Sequence, residues 1–219
     1  LGEWAALVAV GSVSKEDVLK MIPQRANAME RATPSDSGGM AVLLGQKDVF
    51  VQKLCQEIGE VAPSNYNCPG NISVAGTSKG IDRLLQEAEK RGIPAKRIAI
   101  TVPSHSMLME PAEKELWPSV EGLPMIPPNA EFIMNVSGKA VCKVNEIRKN
   151  LVAQLTHPVL FRQSLELLLE QEYDMFLEVG PGKTLSGFVK RTAKAMGKTV
   201  STFSINNFCT LQEAQNLLS

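Results

Sequence analysis

The hydrophobic pattern opens with LGEWAALVAVG, small and apolar throughout, which predicts a short helix closed by Gly11. A helix this apolar is expected to be buried. It has no N-cap and no initiator Met, so the chain is expected to be the back part of something longer. Ser14 and Asp17 form a capping-box-like start for a second helix that runs on through QRANAMERA. Pro23 is expected to kink or restart it. Residues 33–39, TPSDSGG, have the composition of a linker.

From Met40 the period changes. MAVLLG predicts a strand and KDVFVQKLCQEIG a helix. VAPSNYN and NISVAGT predict two strands around the turn Cys68-Pro69-Gly70. SKGIDRLLQEAEKRG predicts a helix ending at Gly92, and AKRIAITV a strand. This βαββαβ order is a ferredoxin-like signature and places a small subdomain at 38–102. Beyond it come helix 106–120, strand 131–136, helices 144–156 and 159–171, and strand DMFLEVG. Gly180-Pro181-Gly182, helix 183–196, strand 199–204 and a last helix complete the chain. Strand–helix alternation predicts an α/β fold with a mostly parallel sheet. The large domain would comprise 1–37 and 103–219, with the subdomain inserted.

Composition narrows the function. With 219 residues and 44% hydrophobic content, the chain can bury a sizeable core. Lys plus Arg and Asp plus Glu are both 23, so no broad basic surface for nucleic acid is implied. The apolar runs are far short of a membrane span. Cysteines 55, 68, 142 and 209 form no CxxC pair and there are only two histidines, so no metal site is expected. A reduced, cytoplasmic setting is expected. The sequons at Asn71 and Asn135 are read as chance.

Few motifs carry chemistry. GPGKT at 180–184 looks like a phosphate loop, but position 177 is Leu where that motif needs Gly, so a packing turn is the better reading. Cys68 before Pro69 reads as structural, and His157 as a loop residue before Pro158. Arg25 reads from spacing as a solvated helix residue, although a buried arginine could clamp a carboxylate. His105, in VPSHSMLM, follows a predicted strand in an α/β pattern, where ligand sites collect. As a general base it needs a nucleophile and a partner for its other nitrogen.

Six stretches, in order, resemble the malonyl-CoA:acyl carrier protein transacylase family: LGEWAALVAVG, RANAM, NYNCPGNISVAG, VPSHSMLMEPA, QLTHPVLF and EVGPGKTLSGFVKR. The resemblance runs to about residue 204. It implies an α/β-hydrolase-like acyltransferase domain with the ferredoxin-like insertion. The family's nucleophilic serine lies in a Gly-His-Ser-Leu-Gly-Glu elbow, and Leu1-Gly2-Glu3 fit its last three positions. The serine is therefore expected just before Leu1, together with the family's front part.

The resemblance implies further roles residue by residue. His105 matches the general base and Gln154 the residue whose backbone carbonyl orients it. The Leu1 backbone N–H would form half of the oxyanion hole. Arg25 matches the arginine that pairs with the malonyl carboxylate, with Met29 and Ser104 also lining the substrate site. Lys183, Lys190 and Arg191 are candidates for docking the acidic carrier. Pro23 departs from the pattern and could shift the reach of Arg25. The implied reaction is ping-pong malonyl transfer from malonyl-CoA to the phosphopantetheine of acyl carrier protein, in fatty acid synthesis. No cofactor is implied, and a monomer is expected. The alternatives are a polyketide acyltransferase, a thioesterase-like hydrolase, or a non-catalytic fragment or interaction module.

Overall fold

The computed structural model describes residues 1–34, 37–100 and 102–218. Ser35 and Asp36 of the expected linker, Thr101 of the expected strand 95–102 and the terminal Ser219 lie outside those residues. The chain divides into two compact units, Leu1–Phe161 and Arg162–Ser219.

The first unit begins with α1 (Gly2–Ala9). Gly11 closes it at φ 66, with Gly11 N–H donating to the Val8 carbonyl at 3.0 Å and Ser12 N–H to the Leu7 carbonyl at 2.9 Å. That double bond pattern needs a left-handed residue, which glycine adopts without a Cβ penalty. The helix is buried on one face only, through Glu3, Trp4 and Leu7. In α2 (Lys15–Ala32) the Ser14 side chain accepts from Asp17 N–H at 3.1 Å, as the capping pattern predicts. Pro23 does not restart this helix, which is continuous through it. The carbonyl that loses its donor belongs to Leu19, 58% exposed, on a side of the helix where water can take it.

Strands β1 (Gly38–Leu44), β2 (Val61–Cys68), β3 (Asn71–Thr77) and β4 (Ala95–Ile98), with helices α3 (Asp48–Ile58) and α4 (Ser78–Lys90), give the expected βαββαβ order. The sheet order is β2-β3-β1-β4 and every pair in it is antiparallel. Ile72, Val74, Ile81 and Leu84 centre its core. β4 leaves β1 after Ile98, opposite Met40, so the expected strand through residue 102 ends early.

A 3-10 turn, Met107–Met109, leads into α5 (Glu110–Glu121), with Pro111 in its first turn. The expected strand 131–136 contracts to the two-residue β5 (Ile133–Met134), paired with β6 (Lys139–Ala140). α6 (Val144–Ala153) stops short of the expected residue 156. Trp4, Leu7, Met21, Met109, Leu116 and Leu151 form the helical core of this unit.

α7 (Phe161–Glu170) starts at the division. The second unit continues with β7 (Met175–Val179), α8 (Thr184–Ala195), β8 (Ser201–Ile205) and α9 (Phe208–Leu218). β7 and β8 pair in parallel across α8, as strand–helix alternation predicts. The other named ladders among the described residues are antiparallel. The α/β class holds, with the parallel pairing concentrated in β7–β8.

Gly76 marks the tightest approach in the sheet. A Cβ there would lie 2.7 Å from Val61 Cα and would also meet the Glu60 carbonyl. Backbone cannot yield as a side chain can, so Gly76→Ala is expected to lower unfolding stability by about 2 kcal/mol or more. Denaturant titration checks this; a loss below about 0.5 kcal/mol would contradict the packing described.

Candidate active site

His105 is not the first residue of a helix. It sits in a tight turn ahead of the 3-10 segment, at φ 62, in the left-handed region that few non-glycine residues occupy. Ser106 Oγ braces the turn by donating to the Pro103 carbonyl at 2.6 Å. Strain at a single polar residue is characteristic of functional positions, where the surroundings over-determine the conformation.

His105 Nδ1 lies 2.6 Å from the backbone carbonyl of Gln154. A carbonyl only accepts, so Nδ1 carries the proton and Nε2 keeps a lone pair. The carbonyl is available for a reason visible in the chain. Gln154 caps the C-terminus of α6, and a continued helix would give its carbonyl to the N–H four residues on. That residue is Pro158, which has no N–H. The chain turns instead through Thr156 and His157, whose N–H groups both go to Ala153.

Glu3 and Arg25 stand beside this pair, and spacing alone suggests neither as buried. Arg25 is 9% exposed and lies on the core stripe of α2 with Val18, Met21, Ala28 and Met29. Its Nε is buried with no hydrogen-bond partner among the described residues. Burial pulls its pKa down, opposed by the charge of Glu3. Glu3 is 7% exposed. Its Oε1 accepts from Asn135 N–H at 2.8 Å and its Oε2 from Gln154 Nε2. Burial pushes the Glu3 carboxyl up to about 7, while the Asn135 N–H, Arg25 and Gln154 pull it back. Burial pushes His105 down to about 4, opposed by the Gln154 carbonyl and reinforced by Arg25. One site therefore holds a neutral imidazole, an under-partnered guanidinium and a buried carboxyl.

Leu1 is the N-cap of α1, so its amide stands at a helix N-terminus, where backbone N–H groups favour negative charge. Met29 is buried one turn beyond Arg25, and Ser104 directly precedes His105. GPGKT, Cys68 and His157 read as structural. In the second unit Glu178 accepts from Leu185 N–H at 3.1 Å, and from Ser186 N–H at 2.8 Å and Oγ at 2.7 Å. That carboxylate occupies the helix start behind GPGKT, where a phosphate would have to sit. Lys183, Lys190 and Arg191 are exposed. Cys68 is buried at the end of β2, and His157 is exposed with Nδ1 2.9 Å from the Ala153 carbonyl.

The raised Glu3 pKa has a measurable consequence. The folded protein keeps that proton up to about 7, whereas the unfolded chain releases it near 4.5. Folding stability therefore falls as pH rises through that window, and Glu3→Gln removes the loss. Stability of the wild type relative to Glu3→Gln should drop by on the order of 3 kcal/mol across the window. Denaturant unfolding of both proteins at its two ends checks this, and a pH-independent difference would contradict the burial described.

The profile of the family described as acyl transferase domain matches residues 1–207. The malonyl CoA-acyl carrier protein transacylase of Bacillus subtilis is 34% identical over 208 residues, 92% of this chain and 65% of that protein. The Escherichia coli K12 protein of the same name is 34% identical over 197 residues, and the chain spans 63% of it. The crystal structure of FabD from Acinetobacter baumannii superposes with a TM-score of 0.93 at 32% identity, covering 99% of this chain and 69% of that one. A type II polyketide acyl-carrier protein in complex with its malonyl-transacylase gives a TM-score of 0.93 at 30% identity, covering 98% of this chain and 70% of the matched one. The chain thus spans a little under two thirds of the length of these curated relatives, and it belongs to the acyl transferase domain family.

Proposed function

We propose that the protein carrying this chain transfers a malonyl group from malonyl-CoA to the phosphopantetheine thiol of an acyl carrier protein. The observation that carries this reading is the pairing of a carbonyl-anchored His105 with the buried, under-partnered Arg25. A serine just before Leu1 is the proposed nucleophile. Its Oγ attacks the thioester carbon while His105 Nε2 takes the hydroxyl proton. The Leu1 N–H receives the developing oxyanion. The C–S bond breaks, and the imidazolium returns its proton to the departing CoA thiolate. In the second half the carrier thiol gives its proton to Nε2, attacks the acyl-serine ester, and serine recovers the proton as it leaves. These steps call on no metal or redox cofactor.

Arg25 supplies selectivity. A malonyl carboxylate satisfies its guanidinium, whereas an acetyl group leaves it unpaired and buried, which is costly. Pairing also neutralises the charge that helps depress His105, so the correct substrate makes its own base stronger. Met29 and Ser104 are proposed to line the acyl pocket, and Lys183, Lys190 and Arg191 to meet the acidic carrier. Residues 38–102 are proposed as a subdomain inserted in the catalytic portion, 1–37 and 103–219. Fatty acid synthesis and a cytoplasmic setting complete the reading. A polyketide carrier is the second reading, favoured by the relative solved with one, and transfer to the two carrier types side by side separates them.

Intact mass spectrometry before and after malonyl-CoA should show one malonyl group on the residue preceding Leu1, and none in His105→Ala. Arg25→Ala should lower malonyl loading by about a hundred-fold or more, from loss of a buried charge partner, with acetyl loading gained or unchanged. Undiminished malonyl loading in Arg25→Ala would remove the role assigned to that residue.

A further inference from the structure

We propose that Glu3 is a positioning residue: it ties the start of α1 to the Gln154 peptide and so holds the carbonyl that orients His105. Three segments meet at its carboxylate. Glu3 belongs to the first turn of α1, two residues after the amide of Leu1. Oε1 takes the N–H of Asn135, just after β5, at 2.8 Å. Oε2 takes Nε2 of Gln154. The Gln154 side chain is 1% exposed and points its donor end at Glu3, the arrangement an acceptor demands. The same residue's backbone carbonyl accepts from His105 at 2.6 Å.

A glutamine at a helix end has a soft peptide plane, because Pro158 leaves the carbonyl outside the helical ladder. Clamping its side chain fixes that plane. The anchor used lies on the helix that presents the Leu1 amide, so one carboxylate sets the spacing between His105 and the elbow. Glu3 touches no reacting atom in the cycle above; it acts through Gln154. This inference rests on the acyl-transfer reading, and its test separates the two.

The test exchanges donor and acceptor in the full-length protein. Glu3→Gln alone sets an amide where two donors converge, and Gln154→Glu alone sets two carboxyl groups face to face. The double exchange restores one donor and one acceptor in the reverse sense, and the amide oxygen then at position 3 can still accept from Asn135 N–H. Each single variant is expected to lower kcat for malonyl transfer by about ten- to a hundred-fold with little change in KM, from misplacement of the base. The double variant is expected to recover to within about five-fold of wild type, because coupled groups are not additive. Gln154→Ala keeps the carbonyl and removes only the link, so it should fall with the singles even if Glu3→Gln folds poorly. Losses that simply multiply in the double variant, or a fully active Gln154→Ala, would overturn the proposal. A wild type that takes up no malonyl group would instead overturn the acyl-transfer reading on which it rests.

Discussion

The site depends on one backbone carbonyl having nothing else to bind. Gln154 ends α6, and the residue that would normally take its carbonyl is Pro158. The bond that helix formation leaves open is given to His105 Nδ1 at 2.6 Å. This selects the tautomer with a free Nε2 lone pair and adds no charge beside it. In a Ser-His-Asp triad a carboxylate does this work and also stabilises the imidazolium. A carbonyl orients equally well and stabilises less, which suits the proposed role of a base that returns its proton to a thiolate.

The charges around that bond are few and costly to hold. Glu3 and Arg25 are both buried, and each opposes the other's desolvation. Neither is compensated as a tight ion pair would be, and breaking such an arrangement from either side should be expensive. Their surroundings make the free site a weak base, with the imidazole pushed down to about 4 by burial and by the Arg25 charge. In the proposed reaction a malonyl carboxylate arriving at Arg25 would relieve part of that, and selectivity and base strength would be linked through one guanidinium.

Much of this is legible in the residues. The order of predicted strands and helices from Met40 gives the βαββαβ subdomain, and the capping pattern at Ser14 gives the start of α2. Arg25 reads from spacing as solvated, and its place on the stripe Val18, Met21, Ala28 is the signal that it is buried instead. The setting of His105 is not readable in this way. Periodicity sees an apolar run after it, but the turn at Pro103–Ser106 and the positive φ are set by tertiary contacts to α6. Glu3 escapes notice as a buried group, since an acidic residue near a helix start reads as a dipole partner. The signal is its place on the face of Trp4 and Leu7, as the only charged residue of that helix. Pro158, four residues after Gln154, is the other signal. β4 ends early because its pairing with β1 stops at Met40, which no local pattern encodes.

The most direct measurement is the nitrogen NMR titration of His105 in the full-length protein. The account predicts a neutral ring bearing its proton on Nδ1, staying neutral until the pH falls toward about 4. A proton on Nε2 would contradict it, because the Gln154 carbonyl would then not be what holds the base, and titration at the ordinary value of 6.5 would contradict the burial of the ring beside Arg25.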